Sequence, residues 1–343
     1  MTVTSQNAAA QASATHSASQ NPGTQISSSQ SAARSFGEVF GAITASVGQA
    51  IHGKQDVISS ALTCLLAEGH LLVEDVPGVG KTSLAKALAR AMGIEFGRIQ
   101  FTPDLLPADV VGASVWHAHN GSVEFQPGPV FTNLLVGDEI NRASPKTQSA
   151  LLEAMAERQV TVDGTTRALS RPFMVVATQN PLEHQGTFPL PESQLDRFLM
   201  RLSVGYPATS SEVALLTESD HSHSLERVTP AVAPGDVTAM IGAASNVHVS
   251  EAVAGYVVDL AQRSRSHAEV VLGVSPRASL GLLSAAKVRA AATGRNFVSA
   301  DDVKVLAEPV LAHRLVLTRA ATARGADSSS FVNHLLDSTP VPA

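Results

Sequence analysis

The chain has 343 residues, of which 44% are apolar and 16% charged, and 24 Lys and Arg against 30 Asp and Glu give a net charge of −6. This length predicts about two domains, and the mild acidity excludes a protein whose main surface is a basic nucleic-acid footprint. The single cysteine, Cys64, excludes an intrachain disulfide framework and a cysteine-based zinc site. Because no window approaches the ~18 apolar residues of a membrane span and the start lacks a signal-peptide pattern, we expect a cytoplasmic protein without membrane insertion.

The first predicted segments are a disordered head and two helices. Residues 1–34 are rich in Ser, Ala and Gln and contain one charged residue, Arg34, so they cannot bury enough apolar surface to fold. Order is predicted to begin at Ser35, where Ser35 and Glu38 have the spacing of a capping box. A second helix is predicted over residues 54–67.

From residue 71 onward, strand and helix patterns alternate. Strands are predicted at residues 71–74, 98–101, 134–136 and 173–177. Helices are predicted over 82–92 and after Ser144, which precedes a proline at the first helical position. This alternation predicts an α/β domain over residues 35–205, with a parallel sheet and helices on both faces.

The strand signals fade beyond about Tyr206. Ser250, Ser275 and Ser299 each have the position of a helix N-cap before an apolar pattern. We therefore predict a small all-helical domain over residues 206–320 and a loose C-terminal tail over 321–343.

The strongest chemical signal is a glycine-rich loop between a predicted strand and helix. It reads Asp75-Val76-Pro77-Gly78-Val79-Gly80-Lys81-Thr82 and is followed by Ser83. Glycines at such a turn let backbone N–H groups approach phosphate oxygens at a helix N-terminus. In this interpretation Lys81 reaches the β- and γ-phosphates of ATP, and Thr82 binds Mg²⁺. Asp75 stands where the pattern usually has its first glycine.

Two further strand ends carry candidate catalytic groups. The apolar run before Asp138 and Glu139 predicts that Asp138 holds Mg²⁺ and that Glu139 activates the attacking water. Asn180 follows the next predicted strand and is positioned to touch the γ-phosphate and the water. The alternative for Asn180 is an ordinary turn residue before a proline.

The stretch Asp138-Glu139-Ile140-Asn141-Arg142-Ala143-Ser144-Pro145-Lys146-Thr147-Gln148 resembles the signature of the MoxR family of AAA+ ATPases, in the helix-2-insert group. Further matching strings are residues 100–107, 151–157, 159–161, 177–181, 186–192, 194–198, 275–279 and 313–315. The resemblance covers roughly residues 36–318. It implies a P-loop AAA+ sheet followed by a helical lid, hydrolysis of ATP with Mg²⁺, and a homo-oligomeric ring, expected to be a hexamer.

The resemblance also implies roles for residues outside the loop. Arg197 matches the arginine that a neighbouring subunit inserts into the ATP site, and Arg201 is an alternative for that role. A surface salt bridge of Arg197 with Asp196 or Glu192 is the structural alternative. Arg277 matches the lid arginine that senses nucleotide, and Ile51-His52-Gly53 matches the segment around adenine.

Two insertions are predicted to be hairpins. Residues 115–125 turn at Asn-Gly and residues 160–167 turn at Asp-Gly, both strong hairpin signals. In a ring, Trp116 on the first hairpin is predicted to face a client protein. The alternative is local packing of Trp116 on its own domain.

The leading functional hypothesis is an ATP-hydrolysing remodeller. As implied by the resemblance, it would assist maturation or assembly of partner proteins or metalloenzymes, together with adaptors that carry a von Willebrand factor A-type domain. One alternative is a nucleotide-gated binding scaffold with little hydrolysis, and another is an ATPase subunit of a metal chelatase. A DNA motor is disfavoured by the acidic charge balance.

Overall fold

The structure is a computed structural model, which describes residues 35–76, 78–180, 186–207, 209, 212–213, 225–233 and 235–342. The predicted disordered head and Pro77 of the glycine-rich loop lie outside the described residues.

The first domain alternates helices and strands, as predicted. Its elements are α1 (Phe36–Gly48), α2 (Gln55–Leu66), β1 (Leu71–Glu74), α3 (Lys81–Met92), β2 (Phe96–Gln100), α4 (Pro107–Val111), β3 (Gly112–His117), β4 (Ser122–Pro127), β5 (Leu134–Asp138), α5 (Pro145–Glu157), β6 (Gln159–Val162), β7 (Thr165–Ala168), β8 (Met174–Gln179), α6 (Glu192–Leu195) and β9 (Met200–Leu202). The predicted capping box is present, since the Ser35 N–H donates to Glu38 and the Glu38 N–H donates to Ser35 Oγ.

A five-stranded parallel sheet lies at the centre, in the order β2-β5-β8-β1-β9. Strands β1, β5 and β8 are almost completely buried aliphatic runs, which is typical of strands covered on both faces. One face packs against α1, α2 and α3, and the other packs against α5. The predicted parallel sheet is therefore confirmed, and it brings the carboxyl ends of β1, β5, β8 and β2 to one edge.

Both predicted hairpins are present. β3 pairs antiparallel with β4 around the turn at Gly121, and Trp116 lies opposite Val123. β6 pairs with β7, and both turn residues, Asp163 and Gly164, have a positive φ.

The second part of the chain is mainly helical. Its elements are α7 (Asp236–Ser245), α8 (Glu251–Ser266), β10 (Val270–Leu272), α9 (Pro276–Ala292), α10 (Ala300–Leu311), β11 (Val316–Leu317), α11 (Arg319–Ala323) and α12 (Ser328–Ser338). Ser250, Ser275 and Ser299 are N-caps of α8, α9 and α10, as predicted. The apolar core of these helices is continuous with the core that covers α1, α2 and α3.

Two features differ from the sequence-based expectation. A short antiparallel ribbon, β10 with β11, interrupts the helices. The predicted loose tail is wrong, because α12 buries Phe331, Val332 and Leu335 against the helical core. Three serines precede Phe331, and Asn333 and His334 separate Val332 from Leu335, so the apolar pattern was too short to predict a packed helix. Over the part of the chain that the structure describes, no helix combines the length and apolar character needed to cross a membrane.

Candidate functional site

The glycine-rich loop connects β1 to α3 and has the backbone that close approach of an anion requires. Gly78 and Gly80 have φ values of +86° and +91°, which strain any residue with a Cβ, and a Cβ built at either position meets nothing within 4 Å. The free N–H groups at the start of α3 face the same space, where the helix dipole favours negative charge.

The first two residues of α3 place a cation and a hydroxyl beside this loop. Lys81 Nζ donates to the carbonyls of Asp75 at 2.7 Å and Val76 at 3.3 Å. Burial lowers the pKa of Lys81, and the charges of Asp75, Asp138 and Glu139 offset part of that shift. Thr82 Oγ1 donates to Asp138 Oδ2 at 3.4 Å, which confirms that the loop and the end of β5 meet.

The Asp138 carboxylate is buried and lies among three donors. Its Oδ2 accepts from Arg98 Nε at 2.7 Å as well as from Thr82, and its Oδ1 accepts from Thr178 Oγ1 at 3.2 Å. A carboxylate next to a hydroxyl supplies the hard oxygen ligands that Mg²⁺ prefers. The donor set of Thr82 and Asp138 therefore fits a magnesium ion.

Glu139 has a strained backbone conformation and lines the same recess as the loop. Its φ of +55° lies in the left-handed region, and its N–H donates to Thr178 Oγ1 at 2.9 Å. Its Oε2 accepts from Gln100 Nε2 at 3.0 Å and forms an ion pair with Arg142 Nε at 2.9 Å. Strained backbone that persists in a fold is often associated with a functional position.

The turn that follows Glu139 is fixed by one buried amide. Gln148 Nε2 donates to the carbonyls of Ile140, Ala143 and Phe188 at distances from 2.9 to 3.2 Å. Gln148 therefore supports the backbone that carries Glu139.

These groups line one recess of about 350 Å³, here called the phosphate-loop recess. It is lined by Gly78, Gly80, Lys81, Thr82, Ser83, Arg98, Gln100, Asp138, Glu139, Thr178 and Asn180. All of these except Arg98, Gln100 and Thr178 were predicted as site residues. Arg98 and Gln100 were missed because only the pairing of β2 with β5 brings them beside Asp138 and Glu139.

Asp75, at the entrance of the loop, points away from the phosphate-loop recess. Its Oδ2 accepts from the Gly205 N–H at 2.6 Å and from Ser203 Oγ at 3.0 Å, and its Oδ1 accepts from the Val76 N–H at 3.0 Å. Asp75, which stands in place of the usual glycine, thus ties the loop to the segment after β9 by hydrogen bonds.

The predicted arginines lie elsewhere. Among the described side chains that line the phosphate-loop recess, neither Arg197 nor Arg277 is present. Both instead line a second recess of about 240 Å³, together with Arg158 and Arg314, which we call the arginine recess. Arg197 Nη1 donates to the Leu152 carbonyl at 2.6 Å.

Two other predicted segments also lie outside the phosphate-loop recess. Arg201 forms an ion pair with Glu74 at 3.1 Å and borders a separate cleft between α2 and α10. Ile51, His52 and Gly53 form the turn between α1 and α2, and their contact with adenine stays a prediction.

Comparisons with known proteins agree with the observed fold. Residues 70–200 match the family model described as "ATPase family associated with various cellular activities (AAA)", and residues 262–335 match "AAA lid domain". "Uncharacterized protein YeaC" of Bacillus subtilis is 46% identical, over 86% of this chain and 92% of that protein. "Chaperone MoxR1" of Mycobacterium tuberculosis is 40% identical, over 86% of this chain and 80% of that protein. The crystal structure of a putative ATPase from Cytophaga hutchinsonii has a TM-score of 0.84 and 35% identity, and the alignment covers 90% of this chain and 96% of that one.

Proposed function

The chain belongs to the MoxR family of AAA+ ATPases, and we propose that it is a Mg²⁺-dependent ATPase that remodels partner proteins during their maturation or assembly in the cytoplasm. The observation that carries this proposal is the placement of Glu139 in one recess with Lys81 and Thr82. A carboxylate opposite a phosphate loop is the arrangement that activates water for attack on a γ-phosphate.

Each residue of the phosphate-loop recess has a distinct role in the proposed hydrolysis. Backbone N–H groups around Gly78 and Gly80 bind the phosphates, and Lys81 releases its loop carbonyls to reach the β- and γ-phosphates. Thr82 and Asp138 would hold Mg²⁺, which supplies positive charge at the phosphates when bound. Glu139 orients the water and accepts its proton. Asn180, buried at the same edge, is placed to orient the γ-phosphate.

A second subunit completes the proposed site. Phosphoryl transfer spreads negative charge over the γ-phosphoryl oxygens, and a guanidinium stabilises that charge. Since Arg197 and Arg277 both line the arginine recess of their own chain, we assign both to the nucleotide of a neighbour in a ring, a hexamer in this proposal. The ion pair of Arg201 with Glu74 favours Arg197 over Arg201 as the inserted arginine.

The β3–β4 hairpin is the proposed contact for a client or for an adaptor with a von Willebrand factor A-type domain. The side chains of Trp116 and Val123 lie opposite each other and are 60% and 64% exposed. Exposure of the one tryptophan favours a binding role over packing on its own domain.

The test is ATPase rate against protein concentration, with particle size from light scattering, for wild type, Glu139→Gln, Arg197→Ala and Arg201→Ala. We expect wild-type specific activity to rise with assembly. Glu139→Gln should bind ATP without turnover, and Arg197→Ala should assemble and bind ATP but lose about 10³-fold in rate. Arg201→Ala is the matched control and should retain turnover. Undiminished hydrolysis by Glu139→Gln, or activity independent of both concentration and Arg197, would refute the proposal.

A further inference from the structure

One carboxylate connects the two chain segments that carry Arg197 and Arg277. Asp196 directly precedes Arg197, and its two oxygens accept from Ser275 Oγ at 3.0 and 3.1 Å. Ser275 is the N-cap of α9, where its Oγ also accepts from the Ala278 N–H at 3.1 Å. Arg277 is the second residue of that helix, so the Asp196–Ser275 contact ties the backbones of both arginines together.

A buried arginine reinforces the same junction. The side chain of Arg314 is 4% exposed, and its Nε donates to Asp196 Oδ1 at 2.8 Å. Its other N–H groups donate to the carbonyls of Asp196, Phe198, Leu199 and Val310. These contacts occupy the five donors of a guanidinium, so Arg314 fixes the whole segment that begins at Asp196.

Helix α9 and Gly69 both pack closely against Leu199, which follows Arg197 by two residues. A Cβ built at Gly281 of α9 would lie 2.8 Å from Leu199 Cδ1, and one at Gly69 would lie 2.4 Å from Leu199 Cβ. Real Cβ atoms do not make such contacts, because packed interiors have the density of organic crystals. Helix α9 therefore sits directly on the segment after Arg197.

We propose that Asp196, Ser275 and Arg314 are positioning residues that hold Arg197 and Arg277 as one rigid unit, so that both guanidiniums reach the nucleotide of a neighbouring subunit together. The inference rests on the proposed function, since it requires ATP hydrolysis at a subunit interface. The three residues act through the two arginines and touch no nucleotide. Positioning of this kind matters because a displacement of about 1 Å can cost on the order of 100-fold in rate.

The first experiment compares two N-cap variants, Ser275→Ala and Ser250→Ala. Both serines cap a lid helix with one Oγ contact to a backbone N–H, at 3.1 Å for Ser275 and 3.3 Å for Ser250. The lost cap should cost both variants a similar amount of stability, and Ser275→Ala alone also loses the hydrogen bond to Asp196. Both kcat values are therefore measured at a temperature where each variant is fully folded by circular dichroism. We expect Ser275→Ala to lower kcat by about 10-fold or more at saturating Mg·ATP, while Ser250→Ala keeps the wild-type kcat. Equal kcat values for the two variants would overturn the proposal.

The second experiment tests whether the defect lies in the arginines that a subunit donates. Ser275→Ala retains its own Glu139, and Glu139→Gln retains its own arginines, so mixed rings contain interfaces where both are intact. We expect an equal mixture to hydrolyse more Mg·ATP than the sum of the two variants measured alone. No gain on mixing would place the defect in the variant's own site and overturn the inference.

Asp196→Asn provides an independent variant that keeps the size of the side chain but removes its charge from Arg314. It should show the same loss of kcat and the same gain on mixing with Glu139→Gln, and wild-type kcat would contradict the inference. Failure of the proposed function is recognised separately, because wild-type protein would then lack ATPase activity that depends on Glu139.

Discussion

Replacing Asp75 by glycine, the residue that phosphate loops usually carry at this position, is expected to destabilise the protein. Two of the hydrogen bonds to the Asp75 carboxylate come from Ser203 and Gly205, which are 128 and 130 residues away in sequence. Hydrogen bonds to a charged group contribute about 1.5–3 kcal/mol each, and Ser203 is exposed enough to rehydrate, so the low end applies. Asp75→Gly should therefore lower the free energy of unfolding by about 3 kcal/mol, a large part of the total of about 5–15 kcal/mol.

The pH dependence of this loss follows from the pKa of Asp75. Burial raises that pKa, but hydrogen bonds from Gly205, Ser203 and Val76 outweigh burial and hold it below its usual range. A carboxyl whose pKa is lower in the folded state contributes stability above its unfolded pKa of about 3.9, and the contribution is lost as pH falls through the folded pKa. The difference between wild type and Asp75→Gly should therefore stay constant from pH 5 to pH 8.

The assay is urea denaturation followed by far-UV circular dichroism at pH 5, 7 and 8. Trp116 is a poor probe because its side chain is 60% exposed on a hairpin. Glu74→Gln is the control, since it removes only the partly exposed ion pair with Arg201, which contributes about 0–1 kcal/mol. Wild-type stability of Asp75→Gly, or a difference that changes between pH 5 and pH 8, would refute the reasoning.

Three further predictions concern His70, Gln148 and Trp116. Burial lowers the pKa of His70 to about 4, so its contribution to stability is lost as pH falls from about 6.5 toward 4. The contribution of His70 to the free energy of unfolding should fall by about 1 kcal/mol between pH 6.5 and 5.5. Burial also lowers the pKa of His313, to about 3, so the test is the difference: wild type should lose about 1 kcal/mol more than His70→Gln over this range by urea denaturation. Gln148→Leu removes the side-chain donor shared by three carbonyl oxygens, of which Ile140 keeps the Ala143 N–H. The variant should cost at least about 2 kcal/mol of unfolding free energy by urea denaturation and should lower kcat. Wild-type values of both would contradict the role of Gln148 in supporting Glu139. Trp116→Ala should change the free energy of unfolding by less than about 0.5 kcal/mol but should reduce the stimulation of ATP turnover by a client. Unchanged stimulation would refute the hypothesis that Trp116 contacts a client.

Features encoded within a few consecutive residues could be predicted from the sequence. The capping box at Ser35, the Asn-Gly hairpin turn and the order strand, glycine-rich loop, helix each depend on local chemistry. The meeting of Thr82 with Asp138 followed from a general property of parallel sheets, whose carboxyl ends share one edge. These features were sufficient to identify most of the phosphate-loop recess.

Contacts that depend on the order of strands or on packing between distant segments could not be predicted. Gln100 reaches Glu139 only because β2 lies next to β5. The anchor of Asp75 at Gly205 depends on the path of the chain after β9. The helix around Phe331 is stabilised by burial against the preceding helices, which overrides a weak local pattern.

The side chains of the phosphate-loop recess have an electrostatic consequence. Its described charged residues are two cations, Lys81 and Arg98, and two anions, Asp138 and Glu139, so their formal charges cancel. The side chains of an isolated subunit therefore give this recess no net positive charge. Arg197 and Arg277 of a neighbouring subunit would add two positive charges to the site. If the ring binds ATP more tightly than the free subunit does, then ATP must increase the association constant of the subunits by the corresponding factor, because the two equilibria are thermodynamically linked. Nucleotide supply and ionic strength would then set how much of the protein is assembled at a given concentration.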